Sequence, residues 1–184
     1  WLSIREAHVG IAPATVLGVS FSGELAYEIH VPNESLHAAY AALRRPGEPH
    51  GLRLFGSRAI ESMRLEKGFL HWKADILTEF DPFETGLDRF VRLQKPDFVG
   101  KPALLARSET GPRRKLVTLV ADIVGTVTSG DWGHRTGLNL AYAFVEPTLA
   151  ATGTSLAVDI LGRSVAATVI DSGPYDPSFA RMRS

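Results

Sequence analysis

The chain has 184 residues, 45% hydrophobic and 22% charged, which gives enough apolar content for a sizeable core in one or two small domains. Lysine plus arginine equals aspartate plus glutamate at 20 each, so the basic excess usual in a nucleic-acid binder is missing. The lack of cysteine excludes disulfides, thiolate catalysis and cysteine-ligated metal clusters, and no apolar run reaches the roughly 18 residues that a membrane span needs.

The opening Trp1-Leu2-Ser3-Ile4-Arg5-Glu6 has the features of neither a signal nor a transit peptide. It starts without Met inside patterned sequence, so a fragment is expected. Residues 15–21 and 26–31 read as strands joined by a turn at Ser22-Gly23-Glu24. In the second strand Tyr27, Ile29 and Val31 share one face, and Glu28 and His30 the other. Pro32-Asn33 then caps a helix over 34–45, whose apolar positions are Leu36, Ala39, Tyr40 and Leu43. A second helix is expected from Ser57, a natural N-cap, to Lys67, with Gly68 as its stop. Pro102 opens a short helix ending near Ser108.

The breaker-rich stretch 107–114 reads as a linker. Beyond it the pattern changes to short strands at 115–121, 123–128, 139–145, 154–160 and 163–170. The fold class expected is α+β. Residues 1–106 form a mixed domain of antiparallel sheet and helices, and residues 115–184 a small all-β barrel or sandwich.

Most motif tests fail. No G-x-G-x-x-G or P-loop run is present, so this chain carries neither a Rossmann-type flavin or nicotinamide site nor a P-loop triphosphate site. The histidines at 8, 30, 37, 50, 71 and 134 form no metal-ligand spacing and read as surface or structural residues. From periodicity alone Glu28 lies on a solvated sheet face. Arg58, Glu61, Arg64 and Glu66 lace an exposed helix through i,i+3 and i,i+4 pairs, while Phe69, Trp72 and Phe80 read as core.

The order of several segments adds a resemblance. Ser22-Gly23-Glu24-Leu25-Ala26-Tyr27-Glu28-Ile29-His30-Val31-Pro32 resembles the Y-x-G-E-x-G-x-E-x-x-x-P signature of the glycine-cleavage T-protein family. Residues 51–68 are similar to its G-x-x-x-x-G-x-R-A-x-[DE]-S-x-R-L-E-x-G helix, 81–87 to T-P-x-E-A-G-L, and 95–104 to K-x-D-F-I-G-[RK]-x-A-L. Residues 124–143 resemble its V-G-x-V-T-S-G run, with Tyr175-Asp176-Pro177 closing the match. Glu66-Lys67-Gly68-Phe69-Leu70-His71-Trp72 followed by Asp75-Ile76 is closer to the dimethylglycine and sarcosine dehydrogenase branch.

The resemblance implies a tetrahydrofolate-binding module that captures an iminium as 5,10-methylenetetrahydrofolate. FAD would belong to a separate upstream domain that oxidises the N-methyl amine. The family's folate domain has three subdomains around a central hole. The stretch with its catalytic aspartate precedes anything present here, so no acid of this chain is assigned that role. Carried over, Glu28 is the pterin ligand, a carboxylate accepting a ring N–H and an exocyclic amine as a fork, at roughly 1.5–3 kcal/mol net per charge-assisted bond. Glu28 is therefore expected to be partly buried, directed into the hole beside Arg58. Arg58 suits the folate's carboxylate tail. Phe21 stands where the family has tyrosine, so any hydroxyl contact there is lost. Trp72 is open to two roles, stacking on a folate ring or packing in the core.

At Ala121-Asp122-Ile123 the family usually has about a dozen more residues, so either a tight turn or a missing loop is expected. Two other readings accompany the first. One is a stand-alone aminomethyltransferase acting on an aminomethyl-lipoyl carrier protein. The other is a non-catalytic folate-binding protein of the branch that carries K-G-C-x-x-G-Q-E, where this chain has Phe69-Leu70-His71-Trp72 without cysteine. The expected compartment is the cytoplasm, or the mitochondrial matrix in a eukaryote.

Overall fold

The computed structural model describes residues 2–121, 128–160 and 162–183. The chain packs as two compact units, 1–64 with 176–184 and 65–175.

In the first unit, β1 (Ile4–Val9), β2 (Ala12–Leu17) and β3 (Glu28–His30) form an antiparallel sheet in that order. Cross-strand pairs such as Ile4↔Leu17, Glu6↔Thr15 and Leu17↔Glu28 fix the two faces. One face carries Ala12 and Ala14, both buried, and α1 (Leu36–Gly47) packs against β1 and β2. The fit is close: a Cβ on Gly10 would stand 2.9 Å from the Ala42 Cβ. The other face carries Ile4, Glu6, His8, Pro13, Thr15, Leu17, Glu28 and His30.

The strands differ from the sequence expectation in extent. The 15–21 strand instead spans Ala12–Leu17, and β1 pairs along its whole length although it was not expected. The ladder closes where Gly18 N donates to Ser3 O at 2.8 Å. Beyond that point the hydroxyls of Ser20 and Ser22 accept from the N–H groups of Gly23 and Glu24 at 3.1 and 3.3 Å, so side chains replace a strand partner. The 26–31 strand shortens to Glu28–His30 because β2 offers it only Thr15–Leu17. Tyr27 and Ile29 are both exposed.

Helix α2 is Ser57–Lys67, with Gly68 at φ +78° ending it. Helix α3 is Lys101–Thr110, so residues 107–110 of the expected linker are helical and the break comes at Gly111.

In the second unit β4 (Lys115–Ala121), β5 (Ser129–Gly133), β6 (Leu138–Val145), β7 (Ser155–Ile160) and β8 (Arg163–Ile170) form an antiparallel sheet, order β5-β6-β4-β8-β7. Beyond residue 114 no α-helix occurs among the described residues. The strand expected over 123–128 and the turn-or-loop alternative at 121–123 lie outside the described residues, apart from Ala121 and Thr128. Thr128 donates both its N–H and its hydroxyl to Tyr142 O.

Buried residues lie on both faces of the sheet for different reasons, although Ser164, Ala166 and Thr168 of β8 are exposed on the second. On one, Val117, Leu119, Ala167 and Val169 form an apolar core with Leu156 and Val158. The other face presents Thr118, Leu140, Tyr142 and Phe144 to residues 65–87. There the Tyr142 hydroxyl donates to Leu65 O at 3.4 Å, and the Phe80 and Phe144 rings stack 3.7 Å apart. Through these contacts residues 65–87 belong to the same compact unit as the sheet.

Candidate functional site

Glu28 opens β3, an edge strand whose three residues are all exposed. The expectation of partial burial is not met: its side chain is 59% exposed. A three-residue edge strand has no further strand to cover it, and α1 packs behind the opposite face. The Glu28 Oε2 accepts from His30 Nε2 at 3.2 Å. Among the described residues Oε1 has no partner. Thr15, across from His30, gives its hydroxyl proton to both oxygens of Glu6, at 3.0 and 3.1 Å.

The remaining residues singled out from the sequence are distributed as follows. Phe21 is half-buried in the bend between β2 and β3. Arg58 is exposed in the first turn of α2. Trp72 belongs to the second unit and is 64% exposed, so core packing does not describe it. Its backbone makes an isolated bridge to Ile76.

The structure brings forward acids that the sequence did not. Arg64 and Glu61 form the expected i,i+3 pair at 2.7 Å, but Arg64 is buried instead of lying on a solvated stripe. Glu66 is fully buried, and its Oε1 accepts from Arg135 N and Thr136 N at 2.7 Å each and from the Thr136 hydroxyl at 3.1 Å. Its carbonyl accepts from Tyr175 N at 2.9 Å, and the Arg135 guanidinium lies 4.5 Å from the Tyr175 ring centre. Asp75, also fully buried, accepts from His71 N and from the Ser129 hydroxyl. Glu84 is buried beside Asp81, with Arg107 bridging the two acids at 2.8 and 3.8 Å. These partners lie up to 70 residues away in sequence, so no local spacing announces them.

Glu66 and Glu84 are buried, each with one oxygen that accepts no hydrogen bond, whereas Glu28 is exposed on β3 with His30 as its partner. Among the described residues no helix is long and apolar enough to cross a membrane.

Comparison with known proteins gives the arrangement a context. Residues 1–95 match the family model described as GCVT N-terminal domain, and residues 106–176 match the glycine cleavage T-protein C-terminal barrel domain. The chain is 32% identical over 188 residues to mitochondrial dimethylglycine dehydrogenase of Rattus norvegicus, covering 92% of this chain and 22% of that protein. It is 35% identical over 199 residues to an aminomethyltransferase of Thermosynechococcus vestitus, covering 98% of this chain and 52% of that one. Among solved structures it matches the glycine cleavage system aminomethyltransferase T from Bartonella henselae with a TM-score of 0.81. That match has 23% identity and covers 89% of this chain and 50% of the other, so it speaks to fold alone. The chain thus spans between about a fifth and about half of the relatives it matches.

Proposed function

Because the chain belongs to the glycine cleavage T-protein family, we propose that it is the tetrahydrofolate-binding, one-carbon-transfer module of a dimethylglycine/sarcosine dehydrogenase-like protein. The observation that carries this reading is Glu28, an accessible carboxylate at the family's pterin-ligand position with one oxygen free of partners among the described residues. The donor set fits the ligand. A pterin edge presents two N–H donors side by side, and a carboxylate accepts both. Arg58, exposed on α2, supplies a planar cation for the folate's carboxylate tail, and Phe21 supplies aromatic surface, with Trp72 of the 65–175 unit a separate stacking candidate. Bound tetrahydrofolate would supply the nucleophilic nitrogen, accepting the carbon of an amine-derived iminium to give 5,10-methylenetetrahydrofolate. The chain's own residues bind and orient; the acid that handles the proton would lie in a segment upstream of this one. FAD, and the oxidation of the N-methyl amine, would likewise belong to an upstream domain.

Calorimetry with tetrahydrofolate on the full-length protein tests the assignment. Glu28→Ala should weaken binding by roughly 2–4 kcal/mol, since two donors lose a charged acceptor on a surface that the ligand covers. Glu28→Gln should fall between, because it keeps one acceptor and sets an amide against the other donor. Flavin reduction by the amine should hardly change. Parental folate affinity in the alanine variant sinks the assignment.

The 35% identity to an aminomethyltransferase favours a second reading, a stand-alone enzyme acting on an aminomethyl-lipoyl carrier protein. A full-length protein purified without flavin, and active with that carrier, would select it.

A further inference from the structure

We propose that His30 is a positioning residue for Glu28, holding one carboxylate oxygen so that the carboxylate faces the folate's donor edge; this rests on the reading of Glu28 as pterin acceptor. Both residues lie on β3 two positions apart, so strand alternation sets them on the same face. His30 Nε2 stands 3.2 Å from Glu28 Oε2. A carboxylate only accepts, so Nε2 carries the proton of that bond. The bond occupies one lone pair of Oε2. It leaves both lone pairs of Oε1 and one of Oε2, enough acceptor sites for a two-donor edge that engages one oxygen with each donor.

The neighbours support the division of labour. Thr15, directly opposite His30, commits its hydroxyl proton to Glu6, so it is no rival donor to Glu28. Leu17 stands opposite Glu28 and Ile4 opposite Leu17, and Ile4 is 66% exposed. A flat ring whose edge reaches Glu28 therefore meets an apolar strip on the same sheet face. His30 limits the swing of the Glu28 side chain while that strip supports the ring.

The experiment is a double-mutant cycle on the full-length protein, reading tetrahydrofolate affinity by calorimetry. His30→Ala should weaken binding about two- to fivefold, the size expected of losing one exposed contact that orients an acceptor. His30→Gln, which keeps an N–H near the Nε2 position, should recover most of that loss. In the Glu28→Ala background His30→Ala should change nothing further. Unchanged or tighter binding in His30→Ala, or failure of glutamine to rescue, overturns the positioning role while the Glu28 assignment stands. Parental affinity in Glu28→Ala alone overturns both.

Discussion

The three-stranded sheet and the 65–175 unit use the same residue type in opposite ways. On the sheet, Glu6 and Glu28 are exposed, and each meets a neighbour on the strands themselves. In the second unit Glu66, Asp75 and Glu84 are buried, and backbone N–H groups, hydroxyls and arginines reach them from distant parts of the sequence. The donors around Glu66 reach Oε1 while Oε2 accepts no hydrogen bond, and those donors would be left unsatisfied if the acid were removed. An exposed carboxylate with spare acceptor capacity costs the fold little and is available to a ligand. Depth, not residue type, separates the buried acids from the candidate binding acid.

The sharpest way to break this comparison is Glu66→Ala. It would strand the N–H groups of Arg135 and Thr136 beneath the turn that ends β5, and open a cavity at the end of α2. The expected loss of stability is roughly 3–5 kcal/mol, read as a fall in the urea midpoint. Glu28→Ala should move the same midpoint by less than about 0.5 kcal/mol. A Glu66→Ala loss no larger than that of Glu28→Ala would erase the distinction.

Gly68→Ala should be the next largest effect. Gly68 has φ +78°, and a Cβ there would stand 2.6 Å from the Ser172 hydroxyl and 2.7 Å from Gly173 N. Left-handed backbone costs a non-glycine residue about 1–2 kcal/mol, and forced contact adds about as much again, so roughly 2–4 kcal/mol is expected. Gly137 shares the conformation, at φ +68°, but has nothing within 4 Å of the added Cβ. Gly137→Ala should therefore lose only the conformational part, about 1–2 kcal/mol by thermal denaturation. Equal losses at the two glycines would show that crowding at Gly68 contributes nothing.

Several elements were readable from sequence for local reasons. Ser57 and Gly68 bracket α2 at the residues observed, and the apolar alternation at 115–121 and 163–170 returns β4 and β8 at their bounds. Strand β1 was not readable. Ile4-Arg5-Glu6-Ala7-His8-Val9 has little apolar alternation, and its face away from α1 is open, so only its pairing with β2 makes it a strand. Pro13 disguised β2 as well. It is tolerated because β3 pairs with β2 only from Thr15 onward, leaving Pro13 a single neighbouring strand. Among the candidate site residues, the motif singles out Glu28 but does not announce its exposure on β3. His30 read as a surface histidine, because its partner is visible only once β3 is seen to be open on that face. Glu66 reads as part of a solvated stripe, since helical spacing records which face a residue occupies but not what covers it.

Trp72 should give the smallest effect and sharpen the comparison from the other side, as an exposed residue within the unit that buries its polar groups. At 64% exposure its ring contributes little packing, so Trp72→Ala should change stability by no more than about 0.5 kcal/mol. If the ring stacks on the bound folate, the same variant should lose about 1 kcal/mol of tetrahydrofolate affinity, the range of a single aromatic pair. Trp72→Phe should keep part of that loss from appearing, because a smaller ring still offers a face. Fluorescence provides an independent readout. The chain has three tryptophans, and stacking would make Trp72 the one most responsive to folate, so Trp72→Phe should remove most of the ligand-induced change. A stability loss above about 2 kcal/mol would instead mark Trp72 as a packing residue of the size expected for core truncations. An unchanged affinity together with an unchanged fluorescence response would remove it from the site, leaving Phe21 as the aromatic candidate.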